Sequence, residues 1–488
     1  MLNLRYIDNQ LTLIAVDADE SIIHQPLHRI FLKSTLNAEI ESKYYRWNTL
    51  DQTELLHIIE SLIVHFKRYG IPIEMDYNCK NILDIEKKAD NDFKELLQSA
   101  LESKRKISEY NRRHISELIL PEFKRDLKDF QLDAVNHLLI VGNGANFSVP
   151  GSGKTSVALA YYHILRITQK IDALLIIGPA SCFEPWEHEY LQCFGEEANS
   201  IRIAGLSKIR RNESYLLADR FEMILTTYHS AARDVNQIIE CLKRRNYLVI
   251  LDESHYIKRP QGGKLADTVL SLAKHGKYRV ILTGTPMPNS LEDLWSQFAF
   301  LWDARSPLGP VNRYLQEIRA NNAESSLESV KNKIEPLFFR VTKRQLNLPP
   351  ISIETVVCDL SPLQQRIYEA IAIQFLSQLK EEPKDKEAVR EWRRARAIRL
   401  LQIASNPTLL RQQCDEFSLP PMDLGEFSLK HGIEYYAKFE VPGKFSILKN
   451  LVKDICDRGD KIIIWTSFIH NLKMLSNLLS IYSPVSIM

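Results

Sequence analysis

The run Gly151-Ser152-Gly153-Lys154-Thr155 carries the atoms that a polyphosphate needs. Its glycines let backbone N–H groups converge on phosphate oxygens, and the helix that follows adds the positive end of its dipole. In that arrangement Lys154 meets the β- and γ-phosphates and the Thr155 hydroxyl holds Mg²⁺. The expected cofactors are therefore ATP and Mg²⁺. The expected nucleotide-binding run is Pro150, Gly151, Ser152, Gly153, Lys154, Thr155 and Ser156. Ser148 stands where the full phosphate-loop pattern begins with glycine. Taken alone, the run is also compatible with a tight glycine turn before an ordinary helix.

A second constellation decides between these. Further along the chain the apolar run Leu248–Leu251 ends in Asp252-Glu253-Ser254-His255. Adjacent carboxylates suit two jobs: Asp252 holds the metal shell, and Glu253 orients and deprotonates the attacking water. A capped strand end is the bland alternative for these four residues. It loses ground once the phosphate loop is considered beside them, because strand ends of one parallel sheet converge on one site.

The elements that would position these residues are legible as alternating short apolar runs and amphipathic helices, the pattern of a parallel sheet covered on both faces. The runs are Leu174–Ile177, Met223–Leu225, Leu248–Leu251 and Val280–Leu282, each followed at once by a polar or Gly/Pro turn. Helical spacing of Val157, Tyr161, Ile164 and Leu165 supports the helix after the loop. Residues 1–107 mix a strand-like run, Leu11–Val16, with a helical one, Glu54–Tyr69, and read as an α+β accessory domain of unassigned role. Residues 115–302 form the α/β lobe, and 303–440 a helical, charged bridging region with a long helix at Ala388–Ile403. A second α/β start occupies 443–488: helix Phe445–Arg458, strand Lys461–Thr466, helix Ile469–Leu479 and a β-like Val485–Met488.

A chain of 488 residues exceeds one ordinary core, and 45% hydrophobic with 25% charged residues is globular composition. The net charge of +2 leaves any nucleic-acid contact to local basic clusters. Such clusters occur at Lys104–Lys106, Arg112–Arg113, Arg210–Arg211, Lys243–Arg245, Lys258–Arg259 and Arg393–Arg399. Each alone reads as a solvated helix face or loop rather than a binding patch, so the clusters permit nucleic-acid contact without indicating it. The seven cysteines lack zinc or disulfide spacing and are expected reduced. No apolar run approaches a membrane span and Met1–Leu11 lacks a signal-peptide plan, so a soluble, intracellular chain without membrane contact is expected, cytoplasmic with a nuclear site left open.

The ordered motifs resemble the Swi/Snf-like ATPases of helicase superfamily two, from about Leu127 onward. The stretches are LKDFQ at Leu127–Gln131, LLIIGPASCFEPW at Leu174–Trp186, ILTTY at Ile224–Tyr228, LDESHYIK at Leu251–Lys258 and LTGTPMPNSLEDLW at Leu282–Trp295. FRVTKRQLNLPP at Phe339–Pro350, LSPLQQRIY at Leu360–Tyr368, LQIASNPTL at Leu401–Leu409 and GKFSIL at Gly443–Leu448 continue the series. Ser148, Pro150 and Ser254 depart from the family's usual residues, which places the chain in a divergent branch.

The resemblance implies two RecA-like lobes that close on ATP and step along duplex DNA, with RNA the weaker alternative as a track. It implies that Gln131 recognises adenine, that His255, Thr283 and Thr285 couple nucleotide state to the track and the second lobe, and that Pro179, Ser181, Thr226, Thr227 and Lys258 contact nucleic acid. The family also carries an arginine-bearing motif late in the second lobe. Here the last arginine is Arg458, and Val485–Met488 reads as a strand cut mid-sheet. An incomplete second lobe, completed by a missing C-terminal portion or a protein partner, and low turnover of this chain alone are therefore expected. The alternative function is a nucleotide-gated module that binds DNA or a partner with little turnover. A small-molecule kinase leaves the acidic pair and the LTGTP stretch without a role.

Overall fold

The computed structural model describes the chain except residues 16–22, 42–43, 49–51, 106–107, 259–262, 304, 321, 347, 379–385, 412–427 and 486–488. The chain divides into two compact units, Met1–Pro349 and Pro350–Met488.

The first unit opens with a five-stranded sheet: β1 Leu2–Ile7, β2 Gln10–Ala15, β3 Glu39–Ile40, β4 Tyr44–Asn48 and β5 Ile73–Met75, in the order β3-β4-β2-β1-β5. Neighbours are antiparallel except β1 and β5. Alternation puts Leu2, Leu4, Leu11 and Leu13 into one core with Leu55, Ile59, Leu62 and Phe66 of helix α1, Gln52–Arg68. Val16, expected at the end of β2, lies outside the described residues. Helix α2, Tyr77–Arg105, runs from this sheet onto the larger core. Glu86 and Asp90 on it pair with Arg305, and Phe93 packs on Trp302.

The larger sheet has seven parallel strands: β6 Gly144–Asn146, β7 Ala173–Ile177, β8 Ser200–Arg202, β9 Met223–Thr226, β10 Tyr247–Asp252, β11 Tyr278–Leu282 and β12 Phe338–Phe339. Their order is β12-β6-β11-β10-β7-β9-β8. Leu174, Ile176, Leu248, Ile250, Val280 and Leu282 join the core on one face, while Leu175, Ile177, Val249, Leu251 and Ile281 join the core on the other. This explains the continuous apolar runs: a parallel strand covered on both faces has no polar side. The expected α/β class, a parallel sheet covered by helices, is what forms.

Residues 303–349, grouped by pattern with the bridging region, pack in the first unit. Leu308, Tyr314, Val330 and Leu337 enter its core, and β12 pairs with β6 at the sheet edge. A two-residue strand shows no period to read.

The second unit is helical, with α3 Pro362–Gln378, α4 Lys386–Ser405, α5 Gly443–Asp457 and α6 Ile469–Leu478. Leu363, Ile367, Ile371, Ile403, Ile433 and Tyr436 form its core. A Cβ at Gly443 would fall 2.0 Å from the Asp359 carbonyl, so only glycine starts α5 here. The expected strand Lys461–Thr466 is corrected. It joins no ladder among the described residues, because no neighbouring strand satisfies its backbone, and Trp465 is 90% exposed. Val485 is exposed and outside any strand, and the rest of that β-like run lies outside the described residues.

Cys79, Cys182, Cys193, Cys241, Cys358 and Cys456 are free thiols, and Cys414 lies outside the described residues. No described helix is long and apolar enough to cross a membrane.

Candidate nucleotide site

The phosphate loop follows β6 and ends in helix Lys154–Ile167. Gly151 and Gly153 sit at φ of 79° and 77°, left-handed values that a side chain would strain. Gly153 is also fixed from outside, since a Cβ there would meet Gln131 Nε2 at 2.2 Å. Gln131 is buried; its Nε2 donates to the Ser152 carbonyl at 3.1 Å and its Oε1 accepts from Lys128 N at 2.8 Å. The adenine-recognition residue expected from the motif thus braces the loop in this conformation. Lys154 Nζ donates to the Ser148 carbonyl at 3.1 Å. The buried Ser152 hydroxyl has no hydrogen-bond partner among the described residues. Ser148, lacking glycine's freedom, is used structurally: its hydroxyl accepts from Val341 N at 3.0 Å.

The acidic motif is delivered from the carboxyl end of β10. Three groups fix Asp252: Trp186 Nε1 donates to its Oδ2 at 2.9 Å, Glu253 N to its Oδ1 at 3.0 Å, and the Tyr228 hydroxyl to its carbonyl at 2.9 Å. Burial raises the Asp252 carboxyl above the usual range, while the Trp186 hydrogen bond holds it down. Burial likewise pushes the Lys154 ammonium down, and the charges of Glu253 and Asp252 pull it back up. Lysine and acidic pair therefore share one electrostatic environment.

Glu253 sits at φ 51°, an uncommon left-handed value for a non-glycine residue, which turns its side chain out of the strand line. Its Oε2 accepts from the Thr283 hydroxyl at 3.3 Å and lies 3.2 Å from His255 Nδ1, which in turn lies 3.3 Å from Thr283 Oγ1. Thr283 Oγ1 also accepts from Thr285 N at 3.1 Å. Glu253, His255 and Thr283 thus form one hydrogen-bonded group across the ends of β10 and β11. Gly284 brings that group against the phosphate loop: a Cβ there would lie 2.9 Å from Pro150 Cδ. Ser254 donates to Gln297 Oε1 at 2.7 Å, tying the motif to helix Asp293–Leu301.

The remaining expected residues divide by exposure. Ser181 and Thr285 are exposed, and Pro179, Thr155, Thr227 and Lys258 half-buried, along the turns after the strands. Thr226 is corrected as a nucleic-acid contact: it is 0% exposed within β9. Thr227 caps helix Tyr228–Arg233 by accepting from Ser230 N at 3.2 Å. The Ser156 hydroxyl is turned inward onto Glu189. Trp186, Tyr228 and Gln297 were given no role from sequence. Their hydrogen bonds span 66, 24 and 43 residues of chain, and such pairings leave no local pattern.

A family model described as SNF2-related domain matches residues 130–419. The chain belongs to the SNF2-related family. Among curated members, it is 24% identical to ATP-dependent helicase FUN30 of Saccharomyces cerevisiae over 430 residues, 74% of this chain and 37% of that protein. With the ISWI chromatin-remodeling complex ATPase ISW2 of the same yeast it shares 25% over 375 residues, 72% of this chain and 30% of the relative. The chain spans about a third of the length of these relatives. A solved Sulfolobus solfataricus SWI2/SNF2 ATPase core in complex with dsDNA aligns at a TM-score of 0.42 and 25% identity, over 74% of this chain and 70% of that one.

Proposed function

We propose that this chain is an ATP-dependent nucleic-acid motor of the Swi/Snf type, an ATP hydrolase that couples phosphate release to translocation on, or remodelling of, duplex DNA. The observation that carries this reading is the convergence of Lys154, Asp252, Glu253, His255 and Thr283 where β6, β10 and β11 end. In this scheme Gln131 faces the base and the backbone of Pro150–Ser156 cradles the phosphates. Lys154 exchanges its Ser148 carbonyl contact for the β- and γ-phosphates. The donor set also suits Mg²⁺, a hard ion that takes oxygen ligands: the half-exposed Thr155 hydroxyl and the Asp252 carboxylate would hold it. When bound, the ion neutralises charge on the phosphate oxygens.

Glu253 accepts the proton of the attacking water. Its contact with Thr283 and His255 makes that role sensitive to the position of the LTGTP turn. Thr285, Ser181, Thr227 and Lys258 lie on neighbouring turns and serve as track contacts. A relative named chromodomain-helicase-DNA-binding protein 8 belongs to the same family, which supports DNA as the track.

The test is phosphate release by the purified chain with and without duplex DNA, together with DNA binding across a salt series. Slow phosphate release from this chain alone, raised by duplex DNA, and steeply salt-dependent, sequence-tolerant binding are expected. Nucleotide and DNA binding without any stimulated release would replace this reading with a nucleotide-gated binding module.

A further inference from the structure

We infer that Tyr228 is a positioning residue for Glu253, and that it links the proposed base to the turn after β9, where Thr227 is a proposed track contact. The inference rests on the proposed hydrolysis and names what regulates its base.

Glu253 is placed by its backbone. It sits at φ 51° and ψ 53°, a left-handed conformation that residues other than glycine seldom occupy and that persists only where the surroundings impose it. One side chain grips the chain on both sides of it. Before Glu253, the peptide joining it to Asp252 is pinned at each end. The Tyr228 hydroxyl donates to its carbonyl at 2.9 Å, and its N–H donates to Asp252 Oδ1 at 3.0 Å. After Glu253, the chain turns through the short helix Ser254–Ile257 and lays the Tyr256 ring on the Tyr228 ring, centroids 5.4 Å apart and planes 9° apart. The His255 ring packs on Tyr256 in turn, at 5.1 Å and 30°. His255 Nδ1 then returns to within 3.2 Å of Glu253 Oε2, so the contacts close a ring around the carboxylate.

Tyr228 is itself anchored. It is 2% exposed within the core of the larger sheet, so its two side-chain torsions are fixed by packing. Its hydroxyl therefore moves only with its backbone, which is the first residue of helix Tyr228–Arg233, capped by Thr227. A shift of the β9 turn is passed to the Asp252–Glu253 peptide. Two aromatic donors thus divide the acidic motif: Trp186 holds the Asp252 carboxylate, and Tyr228 sets the backbone that aims Glu253.

Tyr228→Phe tests this, because it keeps the ring and its stack and removes only the hydroxyl. Single-turnover hydrolysis should fall about tenfold, roughly one hydrogen bond, and lose its rise with duplex DNA, while Mg²⁺ and nucleotide affinities stay within about twofold of wild type. A purely structural lesion would not separate rate from affinity in this way. In a Glu253→Gln background the same substitution should cause no further loss, since it acts through that carboxylate. Tyr256→Leu changes a ring that is 42% exposed, leaves the core intact and should slow the same step. A crystal structure of Tyr228→Phe should show Glu253 out of the left-handed region and its Oε2 apart from Thr283 and His255. That arm needs no turnover: a wild-type chain that hydrolyses nothing would overturn the motor reading, and the crystal structure would still decide the positioning. Glu253 unmoved in the Tyr228→Phe crystal, a wild-type rate from that variant, or a loss that adds in full to that of Glu253→Gln would each overturn the inference.

Discussion

Replacing Trp186 with Phe isolates one hydrogen bond at the proposed metal carboxylate. Trp186 is fully buried and its Nε1 donates to Asp252 Oδ2 at 2.9 Å. A neutral donor to an ionised acceptor contributes about 1.5–3 kcal/mol, which corresponds to roughly 10–100-fold in an equilibrium that needs the carboxylate ionised and oriented. Burial already raises the Asp252 carboxyl, and the Trp186 bond is the strongest influence opposing it. Without that bond the acidic limb of Mg²⁺-dependent nucleotide binding moves to higher pH. The sign follows from the direction of the shift. An acid raised in the folded state is costly to ionise there, so Asp252 opposes folding above its folded pKa and has no effect below its unfolded one. The variant should therefore lose more stability at neutral than at acidic pH. Shrinking the indole adds a cavity term of about 1 kcal/mol, worth a few degrees of melting temperature. The assay is titration of Mg²⁺ against a fluorescent ATP analogue from pH 5 to 8, with thermal melts as a folding control, and it needs no turnover. A Trp186→Phe protein that melts cooperatively yet matches wild-type Mg²⁺ affinity within twofold, with an unshifted pH profile, would refute the argument.

Three further outcomes are expected. Lys154→Ala should keep the fold, since the ammonium bonds only backbone carbonyls, but saturating nucleotide should no longer add the ~2.7 kcal/mol expected at a hundredfold excess over Kd; differential scanning fluorimetry checks this. Glu253→Gln should bind nucleotide as wild type and hydrolyse it at least about a hundredfold more slowly, and equal single-turnover rates would move the base elsewhere. Arg279, 7% exposed, donates to the Leu301 and Gly276 carbonyls and to Asp303. Arg279→Met strands these acceptors and should cost about 3–5 kcal/mol, read by urea denaturation.

The glycine pattern and the two carboxylates were legible because their chemistry is local: Gly151 and Gly153 adopt the left-handed values that a phosphate loop needs, and Leu248–Leu251 ends at Asp252 as a buried strand must. Edges and partners were not legible. β6, β8 and β12 are two or three residues long, too short to display a period, yet β6 carries the loop and β12 closes the sheet. The segment Lys461–Thr466 reads as a strand from composition, but a strand is defined by a neighbour, and none stands beside it among the described residues.

Sequence by itself therefore determined the identity and order of the groups proposed to do chemistry, since spacing within a turn fixes which atoms converge. Only the tertiary structure decided what surrounds them. It closed Thr226 to any ligand, turned Ser156 onto Glu189, and placed Trp186 against Asp252 from 66 residues away. These are consequences of strand order and helix docking, and they are set by packing rather than by neighbours in the chain.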